Sequence, residues 1–203
     1  MVFESIKQSR LLYYLQYVNY HFRVVLTTVT FIGVVFHEFA HKKFCQRYHI
    51  PVSKVVYFQF DTPAGYVNHA KPKYYRAMFF IAIAPFLINS TLAYGVFYTL
   101  AVYHRFFTAP SLTWPPSPGL IIFGLMVWFG VSLSLHAFPS RQDASEVWSH
   151  TKAAWTRNPF VLLGVPVIAL IVLLNKFKII GIDFLYTAAL VVGAYMATQA
   201  LPV

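Results

Sequence analysis

The sequence predicts an all-α polytopic membrane protein of about five transmembrane helices with a small membrane-surface β-hairpin. Three observations carry this. Of 203 residues, 58% are hydrophobic and only 11% are charged, against about 25% charged in soluble domains. Five apolar runs reach or approach the ~20 residues a helix needs to cross the hydrocarbon core. The basic residues collect between those runs rather than along them. Such a chain cannot clothe a globular core in charge. That excludes a soluble enzyme, a disordered chain and a nucleic-acid binder, despite a net charge of +10. The bilayer is the expected solvent, and the basic excess reads as topology and contact with anionic lipid.

Residues 1–23 place Tyr13, Tyr14, Tyr17 and Tyr20 beside Arg10 and Arg23. They read as an interfacial N-terminal segment, since Tyr favours the headgroup level. The first span is expected over 24–44 and the second over 77–103. Between them, 54–60 is β-branched and aromatic, Asp61-Thr-Pro-Ala-Gly65 is turn chemistry and 66–70 is a return strand, giving a hairpin over 54–70. Pro110, Pro115, Pro116 and Pro118 make 104–118 an irregular connection. Further spans are expected over 119–138, 159–175 and 179–201. The parts are therefore the segment 1–23, a core of three spans plus the hairpin (24–147), and a two-helix extension (148–203). Ten of the 16 Lys and Arg residues fall in or beside the 42–76 and 139–158 loops. The positive-inside rule puts those loops in the cytoplasm of a multi-pass cell-membrane protein.

The chemical signal lies in the first span, at His37-Glu38-Phe-Ala-His41. In H-E-x-x-H on a helix, the two imidazoles sit one turn apart on one face and can reach one zinc. The intervening Glu can take a proton from a water on that metal. At this composition chance supplies the pattern about 0.005 times. Ionisable groups inside a membrane helix are costly and functional by default. A catalytic zinc needs a third protein ligand and one open position. Arg47 stands where one zinc-protease pattern would put a third histidine, so the third ligand comes from elsewhere. The motif lies toward the cytoplasmic end of its span, and the third span runs the same way to Asp143. Asp143 is the first choice on that side, with Asp61 on the hairpin and Glu146 one turn later as the others. Asp183 opens the fifth span on the far side. Asp143 also reads as a helix N-cap before Ala144-Ser-Glu-Val-Trp. Cys45 continues the His37, His41 stripe but lies about 12 Å from His37 along the helix, so it reads as packing. His136 is placed to support the site. His49, His69 and His150 read as interfacial surface, and His21 and His104 belong to the other side. Asn89, deep in the second span, reads either as helix–helix glue or as a substrate contact. Pro85 is expected to kink that span.

At these residues the chain resembles the site-2 protease family of intramembrane zinc metalloproteases. The likeness covers residues 30–147. His37-Glu38-x-x-His41 matches the family's zinc helix. Phe79 through Pro85 to Asn89 looks like the next core helix, patterned G-P-x-x-N. Leu135-His-Ala-Phe-Pro139 to Asp143 looks like the third, patterned L-P-A-F-P-x-D-G. Ala84 replaces a glycine, Asn89 lies one residue further on, three residues separate Pro139 from Asp143, and Ala144 replaces a glycine. The resemblance implies a metalloprotease core at 24–147, with His37, His41 and Asp143 holding Zn2+. It further implies Glu38 as general base, Asn89 facing the substrate, and a transmembrane protein as that substrate. The hairpin would receive the unwound stretch as an added strand. A non-catalytic zinc-binding relative that binds membrane partners is the alternative expectation.

Overall fold

The structure, a computed structural model, describes residues 2–107, 110, 115–155, 159–177 and 181–201. Helix α1 (Val2–Val29) is followed by α2 (Phe31–Arg47), the strands β1 (Val52–Val56) and β2 (Tyr66–His69), and helices α3 (Tyr75–Phe106), α4 (Pro118–Leu135) and α5 (Arg141–Ala154). A short 3-10 helix (Pro159–Gly164), α6 (Val165–Phe177) and α7 (Ile182–Thr198) complete the chain.

α3 lies at the centre, packed against α2, α4, α5 and α7. Two small cores flank it. One joins Met78 and Ala82 of α3 to Val147 of α5 and Ile168 of α6. The other joins Ala93 and Phe97 of α3 to Leu133 of α4 and Ala194 of α7. α3 and α4 are each long and apolar enough to cross a membrane, and α1 with α2 make a third crossing only if that bent pair counts as one. At 13 and 17 residues, α6 and α7 are shorter than a full crossing requires. Most of the connection expected to be irregular, 104–118, lies outside the described residues or inside the last turn of α3.

The first span departs from expectation. It breaks at Thr30, where the two helices meet at 78°, so residues 24–29 extend α1 instead of opening the helix that carries His37 and His41. Thr30 is buried, and its hydroxyl donates to the Leu26 carbonyl at 2.7 Å while meeting His136 Nε2 at 2.8 Å. Trp128 Nε1 donates to the Val29 carbonyl at 2.9 Å, taking up a helix-end acceptor. Past the bend, Gly33 lets α2 lie directly on α4: a Cβ there would fall 1.9 Å from the Ser132 carbonyl oxygen. Hydropathy registers none of this, because Thr30 and His136 are single polar residues in long apolar runs.

The strands pair antiparallel, Lys54 opposite Asn68, Val55 opposite Val67 and Val56 opposite Tyr66. The tip of the hairpin folds back along α2, and Phe58 reaches Phe31 with ring centroids 5.6 Å apart. Lys42 Nζ, on α2, donates to the Tyr57 hydroxyl at 3.0 Å. Asp183 was expected on the side away from the motif, but the start of α7 lies beside the end of α4, where Thr187 Oγ1 meets Ser134 Oγ at 2.8 Å and the Tyr186 and Phe138 ring centroids are 4.8 Å apart. There Arg23 of α1 pairs with buried Asp183. An ion pair so poor in water requires both partners, and it ties the first helix to the last.

Candidate metal centre

α2 supplies two of the three donors. His37 and His41 are one turn apart, and their Nε2 atoms face each other at 3.2 Å. Each ring is fixed from behind. His37 Nδ1 donates to the His136 carbonyl at 2.8 Å, and His41 Nδ1 donates to the Ile81 carbonyl at 3.0 Å. A carbonyl only accepts, so Nδ1 carries a proton in both rings, and in the neutral ring Nε2 presents a lone pair. Metal-binding histidines are oriented in this way.

The free carbonyl at Ile81 has a cause. Pro85 sits four residues later inside α3. Proline has no N–H, so the carbonyl four residues before it loses its helical donor. The His41 imidazole takes that vacancy. The His136 carbonyl is available because α4 ends at Leu135, leaving its last acceptors outside the helical ladder.

Asp143 brings the third donor from the first turn of α5. Its Oδ2 lies 3.5 Å from His41 Nε2. One donor atom from each of His37, His41 and Asp143 lies within 4.8 Å of the others. The expected N-cap role passes to Ser140. Ser140 Oγ accepts from the Asp143 N–H at 3.1 Å, and Asp143 Oδ2 accepts from the Ser140 N–H at 2.7 Å. This is a capping box. The same oxygen therefore serves the cap and faces the imidazoles, each through its own lone pair. Ser140, Arg141 and Gln142, the three residues that separate Pro139 from Asp143, are the N-cap and first two positions of α5. Burial pushes the Asp143 carboxyl up. When protonated, the His41 and His37 rings, with the Ser140 bond, outweigh it and hold the carboxyl well below the usual range.

With both rings neutral, two lone pairs and a carboxylate oxygen converge, and a bound cation, or a proton on Nε2, relieves their mutual repulsion. Two imidazoles and one carboxylate suit zinc and leave a coordination position open. Glu38 lies on the same helix, buried at 7% exposure. Gly65, at the return of the hairpin, is pressed against it: a Cβ at Gly65 would stand 2.8 Å from Glu38 Cγ. The hairpin backbone thus walls the acid side of the site.

The other candidates go elsewhere. Asp61 is exposed on the hairpin tip, with Oδ1 accepting from the Thr62 N–H. Glu146 accepts from Gln142 on α5. Neither joins the converging group among the described residues. Cys45 is a buried free thiol. His136 supports the site through its carbonyl, while its ring meets Thr30. Of the two readings of Asn89, helix–helix glue and substrate contact, its amide bonds fit the first. The residue is fully buried, and its amide donates to the Gly33 carbonyl at 3.1 Å and the His136 carbonyl at 3.2 Å. Both amide hydrogens are committed, so no donor is left for a substrate oxyanion. Asn89 is a clamp that holds α2 and the end of α4 against α3.

Sequence reasoning missed the two carbonyls and the cap. Ser-x-x-Asp after Pro139 and the i−4 offset from Pro85 were the available signals. No family profile, curated protein or solved structure matches this chain.

Proposed function

We propose that this chain is an intramembrane zinc metalloprotease of the kind it resembles, the site-2 protease family. The convergence of His37, His41 and Asp143, with both Nδ1 protons already spent on backbone carbonyls, carries that reading. His37 Nε2, His41 Nε2 and an Asp143 oxygen would hold the ion. Bound there, zinc supplies Lewis acidity toward a water and a peptide carbonyl. Glu38 takes the proton of the attacking water and returns it to the departing amine nitrogen. Burial and the Gly65 wall keep its carboxylate from bulk solvent. The substrate is a transmembrane segment that unwinds locally, and an open edge of the β1–β2 hairpin receives the extended stretch. The loops 42–76 and 139–158 face the cytoplasm of a multi-pass cell-membrane protein. α6 and α7, which follow α3 in succession from Met78 to Arg105, make one further crossing between them.

Metal analysis and cleavage assays on reconstituted protein test this. Wild-type protein should retain one zinc and cut transmembrane substrates in proteoliposomes. Glu38→Gln should keep the zinc and lose at least ~10²-fold in rate, the usual contribution of a general base. Asp143→Ala should lose the zinc. Full zinc in Asp143→Ala, or full cleavage by Glu38→Gln, overturns the assignment.

A further inference from the structure

A second site lies away from the zinc ligands, where α2 ends and α3 begins. A cavity of about 500 Å³ opens there, lined by Tyr48, His49, Ile50, Lys73, Tyr74, Arg76 and Ala77. That volume is within the ~300–1,000 Å³ of ordinary ligand pockets. The chain is turned into position by a left-handed residue. His49 has φ 55°, its N–H donates to the Gln46 carbonyl, and the Ile50 N–H donates to the Cys45 carbonyl. These are the paired bonds of a Schellman end to α2.

The cavity is cationic. Lys73 and Arg76 both line it, and neither has a carboxylate partner among the described residues. Asp61 is the sole acidic residue between Glu38 and Asp143. α3 starts at the cavity with no side-chain cap and no acidic residue in its first turn, so its positive end adds to the field. The cavity is also positioned for a bilayer. Tyr74 is 70% exposed and Lys73 Nζ lies 5.8 Å from its ring centre. From Ala77 to Tyr103, α3 carries no Lys, Arg, Asp or Glu. Exposed Tyr beside Lys and Arg, immediately before such a stretch, marks the headgroup level.

We propose that this cavity binds the phosphate of an anionic phospholipid headgroup, held by Lys73 and Arg76 with the Tyr48 and Tyr74 rings at its sides. A free phosphate shares that chemistry. The uncharged run of α3 starting at the cavity floor favours the lipid.

The test compares thermal unfolding of the full chain in phosphatidylcholine nanodiscs and in nanodiscs of phosphatidylcholine mixed equally with phosphatidylglycerol. Native mass spectrometry counts retained lipid. Phosphatidylglycerol should raise the midpoint and be retained. Lys73→Gln with Arg76→Gln should weaken that binding about ten-fold or more, as expected for two basic groups at a headgroup. Lys73→Arg with Arg76→Lys keeps the charge and should bind as the parent does, which separates lost binding from lost folding. Lys54→Gln with Lys152→Gln removes as much charge outside the cavity and should change binding little. Equal loss in that pair, or unchanged binding in the Lys73 and Arg76 double variant, overturns the site. Full protection by inorganic phosphate in phosphatidylcholine alone overturns the lipid assignment.

Discussion

Pro85 touches no metal donor, yet the orientation of His41 depends on what proline lacks. Replacing it with alanine restores an N–H that competes with His41 Nδ1 for the Ile81 carbonyl. Removing a proline from a helix interior normally favours the helix. Pro85→Ala should therefore be at least as stable as the parent while binding zinc about 10–100-fold more weakly, the usual effect of disturbing a ligand's support. Competition with a chelator of known affinity reads the second quantity, and a denaturation midpoint reads the first. A joint fall in both would show an ordinary packing defect. At this scale the donors were legible, because the reach of two imidazoles on one helix face fixes their spacing. Asp143 was legible because the third apolar run ends beside it. The carbonyls were not, since every residue has one and only the tertiary fold says which is vacant. Asn89 was half legible: its burial followed from its place in an apolar run, but which partners its amide would take did not.

Among elements, the contact of α2 with α4 decides whether the helix carrying His37 and His41 is seated. Gly33 lies against the Ser132 backbone, which cannot swing aside as a side chain does. Gly33→Ala should cost about 3 kcal/mol or more, at or above the top of the usual overpacking range. Measured in detergent, the unfolding midpoint should fall and zinc content should fall with it, since His37 leans on the His136 carbonyl just past α4. A midpoint within error of the parent's would mean the helices separate without penalty. The order of the apolar helices was readable from apolar runs, and the hairpin from its β-branched strands and turn residues. The bend was not, because Thr30 is one polar residue in a run whose mean hydropathy it barely alters. Nor was the hairpin's course along α2, which depends on a small residue at 65 meeting a carboxylate 27 positions earlier in the chain.

For the whole molecule, the proposed orientation rests on the distribution of charge. With Cys45 replaced by alanine, a single cysteine at Lys54 or Lys152 should react with a membrane-impermeant maleimide only from the cytoplasmic face. One at Ser117 should react only from outside. Labelling of Lys54 and Ser117 positions from the same face would overturn the orientation drawn from the 42–76 and 139–158 loops. Membrane class was evident from composition. The crossing number was not, because α6 and α7 are too short for length alone to separate a full crossing from a helix packed inside the bundle.

The site draws on three helices and on the end of a fourth: α2 for the imidazoles, α3 for the Ile81 carbonyl, α5 for the carboxylate and the tail of α4 for the His136 carbonyl. No single segment contains a competent ion trap. An ion that prefers the assembled bundle over its separated parts must, by linkage, hold that bundle together. Stripping it should therefore act like a mild denaturant, speeding proteolytic nicking near residues 139–143 and lowering the melting temperature, and restoring zinc should reverse both.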